Sequence, residues 1–251
     1  MTDSPNPNPE TVLVLRTCAA DMSAYGGFVW PESGPVECPD WDPEPECGNG
    51  LHGALWGEGD GNLLDWSEDA RWLVIEVPAH TVVDIVDLGG KVKFPRGNVV
   101  YCGDRQGAAA YIQRPGRAVI GGTATAGHGG MAAAGRYGEA TAGRYGTATA
   151  GDCGTATAGR YGTATAGDRG TATAGVRGMA TAGDHGTATA GYYGTATAGI
   201  GGIATAGEGG VIQLAWWDGT RRRVAVGYVG EDGIRAGVAY RVVDGALEAA
   251  R

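Results

Sequence analysis

The chain has 251 residues, 48 of them glycine, with 28 acidic against 19 basic side chains and a formal charge of −9. No stretch has 18 consecutive apolar residues, and Met1–Pro5 lacks the basic and apolar regions of a secretory leader, so the expected placement is cytoplasmic with no membrane partner. The excess acid lies at the front, where residues 1–121 carry 18 acidic and 8 basic side chains, which argues against a nucleic-acid partner.

Residues 1–10, with three prolines, read as a disordered tail. Residues 11–121 read as an α+β domain. Thr11–Arg16 and Arg71–Val77 have the apolar content and alternation of strands, and Thr81–Leu88, Val92–Phe94 and Val99–Tyr101 add further β character. Asp104–Ile112 predicts a short helix with Asp104 near its start. Pro31–Asp65 is loop-rich and holds the densest chemistry: Cys38, Cys47 and His52, the last two within Cys47-Gly48-Asn49-Gly50-Leu51-His52-Gly53. Cysteine and histidine are zinc ligands, but spacings of nine and five lack a Cys-x2-4-Cys knuckle. The alternative for these residues is a buried Cys47 with a local hydrogen bond for His52. Five scattered cysteines suit reduced thiols better than a disulfide framework. Gly57–Gly61 is a solvated turn, with too few carboxylates for a calcium loop.

Residues 122–209 are eleven octapeptides of the form Gly-Thr-Ala-Thr-Ala-Gly-x-x. The glycine and alanine slots never vary, whereas the threonine slots admit Met131, Ala133, Glu139, Met179 and Ile203. Side chains alternate across a strand, and a slot that accepts Glu139 faces water, so alanine lines the interior and threonine the exterior. The glycines supply positive φ or room for close backbone approach at corners. The variable pairs alternate between Arg144-Tyr145, Arg160-Tyr161, Val176-Arg177 and Tyr192-Tyr193 on one side and Asp152-Cys153, Asp168-Arg169 and Asp184-His185 on the other, which makes the true period sixteen. Two octads per coil predict a two-sheet β-solenoid of 16-residue coils, about 26 Å long at roughly 4.8 Å per rung. A disordered linker has no reason to keep phase over this length, and collagen needs a period of three. A trimeric β-prism with one octad per rung remains an alternative arrangement.

Written from its alanine, Ala150-Gly151-Asp152-Cys153-Gly154-Thr155-Ala156-Thr157 resembles the Ala-Gly-Tyr-Gly-Ser-Thr-x-Thr octapeptide of bacterial ice nucleation proteins. The resemblance implies paired octads in sixteen-residue coils, Thr-x-Thr on a flat face and tyrosines stacked along one edge. It departs where glycine replaces serine and where Arg177 interrupts the tyrosines. Tyr25–Ile112 resembles an uncharacterised domain of actinobacteria and their phages with a Cys-Gly-x-Gly-Leu-His core and a later Lys-Val-Lys-Phe, here Lys91–Phe94. That resemblance implies no activity.

Residues 210–251 drop the octad and read as a β-hairpin cap, with Val211–Trp217 leading through Asp218-Gly219 to Arg221–Tyr228 and a later strand in Gly237–Val243. Trp216 and Trp217 are expected to serve that cap.

The favoured function is a non-enzymatic, rigid scaffold that associates with a second copy through an edge of Tyr145, Tyr161 and Tyr193. The alternative is ice binding by Thr155, Thr157, Thr171, Thr173, Thr187 and Thr189, the cleaner face because Met179 interrupts the other. A third class, an ADP-ribosyltransferase-like enzyme in residues 11–121, rests on a strand carrying Arg16 and a glycine-rich turn carrying His52. No cofactor is expected unless Cys38, Cys47 and His52 hold zinc.

Overall fold

The computed structural model describes residues 10–85, 90–114 and 117–250, and the counts below refer to these. Most of the expected tail and the end of the Thr81–Leu88 segment lie outside them. The chain separates into two compact units, 1–122 and 123–251.

In the first unit seven strands form one antiparallel sheet. They are β1 (Thr11–Cys18), β2 (Gly34–Glu37), β3 (Leu51–Leu55), β4 (Arg71–Pro78), β5 (Val83–Asp84), β6 (Lys91–Phe94) and β7 (Arg96–Gly103), in the order β2-β7-β4-β1-β3-β6-β5. Strands β1 and β4 pair along their full length, from Thr11 opposite Pro78 to Cys18 opposite Arg71. The apolar alternation of β1 then feeds two cores. Leu13 and Leu15 pack with Trp72, Val74 and the helix α1 (Arg105–Ile112) on one face. Val14 and Cys18 pack with Trp30, Val36, Cys38 and Phe94 on the other. Asp104 caps α1, its carboxylate accepting from the Gly107 N–H at 2.7 Å, which satisfies one of the free amides of the first turn. Strands β2 and β3 fall inside the segment read as loop. β2 carries Gly34 and Pro35 at the sheet edge, where proline is tolerated, and β3 is short and interrupted by Gly53.

In the second unit, eleven four-residue strands run from β8 (Thr123–Ala126) to β18 (Ile203–Ala206). Alternate strands enter two sheets, and every pairing is parallel with residue i opposite i+16, as in Thr155↔Thr171 and Thr163↔Met179. The result is a β-solenoid of about six turns with sixteen residues per coil, in place of a prism. The residues of the alanine slots from Ala132 to Ala206 are at most 5% exposed and form one continuous core, while the threonine slots, Ala133 among them, face outward. An alanine side chain buries little area at about 25 cal/mol per Å², so hydrogen bonding between coils carries much of the cohesion. It continues round the corners, where Gly143 N donates to Ala126 O at 3.0 Å, Tyr145 N to Arg160 O at 3.0 Å and Thr147 N to Gly130 O at 2.9 Å.

The corners resolve the role of the glycines. Positive φ falls on the second variable residue, with Tyr145 and Tyr161 at 60° and Cys153 and Tyr193 at 53°. The invariant glycines serve close approach. A Cβ on Gly146 would stand 2.8 Å from Gly130 O and 3.0 Å from Gly143 O.

The solenoid closes at its far end on antiparallel strands. β19 (Val211–Trp217) continues one sheet and pairs with β20 (Arg222–Tyr228); β21 (Ala239–Val243) pairs with the last repeat strand of the other sheet and with β22 (Ala246–Ala249). The β19–β20 turn is held by the Asp218 carboxylate, which accepts from Thr220 N and Arg221 N and pairs with Arg223. Ile212 and Leu214 extend the alanine core into larger side chains. Trp216 lies against Gly245, but Trp217 is 56% exposed and adds nothing to the cap interior.

Candidate functional site

The two outer faces of the solenoid differ in composition. On the sheet containing β8, the second threonine slot forms an unbroken column, Thr125, Thr141, Thr157, Thr173, Thr189 and Thr205. The first slot reads Thr123, Glu139, Thr155, Thr171, Thr187 and Ile203. Three successive complete Thr-x-Thr rungs therefore lie together: Thr155/Thr157, Thr171/Thr173 and Thr187/Thr189. On the opposite sheet Met131, Met179 and Val211 interrupt one column, and Ala133 and Gln213 end the other. The six-threonine column follows from reading the octads at period sixteen, though the sequence directs attention to complete rungs alone.

Along one edge the corner residues stack. The Tyr145 and Tyr161 rings lie 5.0 Å apart and 7° from parallel, with His128 edge-on to Tyr145 at 5.5 Å. Arg177 does not break this column. Its guanidinium lies 6.0 Å from the Tyr161 ring and 5.7 Å from that of Tyr193, so a cation between two aromatic faces bridges the coil that lacks a tyrosine. Arg160, followed by Arg177, holds the Tyr161 phenol below its ordinary pKa. Tyr145, Tyr192 and Tyr193 are each about half exposed.

At the other edge the aspartates form a different ladder. Asp152 Oδ1 accepts from Asp168 N at 3.0 Å, Asp168 Oδ1 from Asp184 N at 2.8 Å, and Asp184 Oδ1 from Ile200 N at 2.7 Å. Each carboxylate therefore ties its coil to the next through a charge-assisted bond.

Cys38, Cys47 and His52 line one cleft of the first unit, but no three metal-ligating side chains converge among the described residues. The Cys38 thiol lies 3.0 Å from Asp40 Oδ1, and Lys91 Nζ lies 3.2 Å from Cys47 Sγ. The possible zinc site therefore lacks a ligand set. Burial pushes the Cys38 thiol up, with the Asp40 bond adding to the effect. Arg16 and His52 do meet: Arg16 Nη1 donates to the His52 carbonyl at 2.7 Å. Gly53 makes this approach possible, because a Cβ there would stand 2.6 Å from Leu15 O. Burial lowers the Arg16 guanidinium to about 10. Burial, then Lys91, Arg16 and Lys93, lowers His52 to about 4.

By fold and surface the second unit is a structural repeat protein, a two-sheet β-solenoid with threonine-bearing faces. Its sequence is similar to ice nucleation proteins over about a hundred residues. The chain is 48% identical to the ice nucleation protein of Pseudomonas fluorescens over 103 residues, 41% of this chain and 8% of that protein. It is 47% identical to that of Pseudomonas syringae pv. syringae over 107 residues, 42% of this chain and 9% of the relative, and 45% identical to that of Xanthomonas campestris pv. translucens over 103 residues, 41% and 6%. The chain thus spans under a tenth of the length of these relatives. Residues 12–111 match the family described as "Domain of unknown function (DUF7666)". No solved structure matches the chain.

The similarity corrects the cytoplasmic placement. The ice nucleation proteins to which the chain is similar conflict with an intracellular location. The amino-terminal residues that suggested the cytoplasm do not decide the matter. No helix among the described residues is long and apolar enough to cross a membrane.

Proposed function

We propose that the solenoid is an ice-binding module acting through the threonine rows of the sheet that carries Thr155, Thr171 and Thr187. The observation that carries this reading is the in-register stacking of Thr-x-Thr rungs in a chain similar to ice nucleation proteins. Within a strand, alternate side chains stand about 6.6 Å apart, and neighbouring coils lie about 4.8 Å apart, so each rung adds one row to a two-dimensional lattice of hydroxyls and methyls. The parallel ladders prevent a register slip that would turn alanine outward. Adsorption to ice, rather than nucleation by the much longer relatives, is the activity proposed for about six turns.

The test is the habit of ice crystals grown in dilute purified protein. Wild type is expected to facet them, and Thr171→Tyr to abolish faceting, since a ring in the middle rung breaks the array without touching the alanine core. Thr181→Tyr on the opposite sheet is expected to leave it intact. Growth indistinguishable from an albumin control would defeat the proposal.

A second reading, self-association as a scaffold, is supported by the exposed aromatic edge. Tyr145 and Tyr193 are half exposed and Tyr161, stacked on Tyr145, is partly so, which offers rigid apolar area suited to a two-fold contact with another copy. Replacing Tyr145, Tyr161 and Tyr193 with serine is expected to reduce the sedimenting mass toward that of a monomer with the circular dichroism unchanged. An unaltered mass removes this edge as the contact.

A further inference from the structure

The cleft of the first unit has a polar lining that its own fold leaves incomplete. It encloses about 870 Å³, within the range of small-molecule sites, and Arg16, Trp30, His52, Lys91 and Asp40 are among its lining residues. Three polar atoms of these residues are buried with no hydrogen-bond partner: Arg16 Nε, Trp30 Nε1 and His52 Nε2. An unmet buried polar group is costly, and native structures carry few of them. Here three belong to residues that line one cleft. Trp30 is only 2% exposed, and the Arg16 guanidinium lies over its ring at 4.7 Å, so the two side chains are held in contact.

The three atoms specify a ligand by their polarity. Arg16 Nε–H and Trp30 Nε1–H are donors and require an acceptor. The His52 ring also hydrogen-bonds the Gly50 backbone, and its lowered pKa keeps it neutral near pH 7. With Nε2 unpartnered, that bond uses the Nδ1 proton, and Nε2 presents a lone pair that requires a donor. Charge points the same way. Arg16 and Lys91 face the cleft as cations, and its acidic lining residue, Asp40, is engaged with Cys38. The glycine-rich wall is fixed from behind by buried Lys93, whose Nζ donates to Glu46 O at 3.1 Å and Gly48 O at 3.3 Å.

We propose that this cleft binds a hydroxyl-bearing organic phosphate of nucleotide size, its phosphate drawn to Arg16, Trp30 and Lys91 and a sugar hydroxyl donating to His52 Nε2. A lone phosphate ion fills little of the volume. A neutral nucleoside leaves the two donors and Lys91 without an anion. The proposal concerns binding in the first unit and stands or falls independently of ice adsorption by the second.

Calorimetric titration of the full chain tests it with AMP, ribose 5-phosphate, adenosine and inorganic phosphate as probes. AMP is expected to bind saturably, with adenosine and inorganic phosphate each at least about tenfold weaker; ribose 5-phosphate binding as well as AMP would also support the site and confine recognition to the sugar phosphate. Trp30→Phe, which removes the N–H and keeps an aromatic ring, and His52→Phe are each expected to weaken AMP by about three- to tenfold, the effect of one hydrogen bond. Lys91→Gln supplies a variant outside the buried wall in case either of these fails to fold, and it is expected to weaken AMP and flatten the salt dependence. Absence of saturable AMP binding to folded wild type, equal affinity for adenosine, or unchanged AMP affinity in the folded variants overturns the proposal.

Discussion

Ala164→Leu is expected to lower the melting temperature by roughly 6–12 °C, whereas Thr163→Leu shifts it by no more than about 2 °C. Ala164 is fully buried, stacked in register between Ala148 and Ala180, and belongs to a core made of alanine from coil to coil. Overpacking typically costs about 1–3 kcal/mol, and the upper end applies where the surrounding side chains are single methyls with no rotamer to change. Relief then has to come from separating the sheets, which disturbs the neighbouring coils as well. Thr163 lies next in sequence on the outer face, where methionine already occupies the same column at Met131 and Met179. Thermal melts of both variants check the assignment, and greater damage from the threonine variant reverses it.

The repeat region was legible because one chain samples each structural slot eleven times. Invariance at alanine and tolerance at threonine act as a mutational series within the molecule, and alternation across a strand converts it into inside and outside. Sixteen residues per coil followed from the alternating corner pairs, and the parallel ladders agree. Corner geometry was less legible, since glycine serves either positive φ or close approach, and spacing alone does not separate them. Arg177 read as an interruption for a similar reason. Whether a cation continues an aromatic column depends on ring positions that residue type does not give.

The first unit gave up its long alternating strands β1 and β4 and its helix, but not β2 or β3, which carry proline or glycine and owe their strand geometry to partners distant in sequence. Its chemistry was legible as a set of residues and not as an arrangement. Cys38, Cys47 and His52 do share a cleft, yet the partners of the two thiols, Asp40 and Lys91, become apparent only from the folded chain. Trp30 was not singled out at all. Its relevance comes from an unpartnered N–H, a property of burial with no sequence signature.

The corners carry the other large expected effect. Gly162→Ala is expected to destabilise the solenoid by about 3 kcal/mol or more, although it adds one methyl group. That methyl would stand 2.8 Å from Gly146 O and 2.9 Å from both Ala158 Cβ and Gly159 O. Two of these neighbours are carbonyls of the chain that forms the corner and the stack, so relief requires the backbone itself to move. Gly162 N also donates to Gly159 O at 3.0 Å, and opening the corner stretches this bond and the inter-coil bond from Thr163 N to Gly146 O. The adjacent Tyr161→Gly is the contrasting variant. Tyr161 occupies φ 60°, where an L residue is strained and glycine is not, and the equivalent slot is already glycine at Gly129, Gly201 and Gly209, with φ of 68°, 70° and 66°. Relief of that strain, about 1 kcal/mol, offsets the lost ring stacking of about 0.5–1.5 kcal/mol, so the net change is expected to be small. Denaturant unfolding of the two variants separates these roles. A Tyr161→Gly protein less stable than Gly162→Ala would mean that the corners depend on their side-chain column more than on close approach of the backbone.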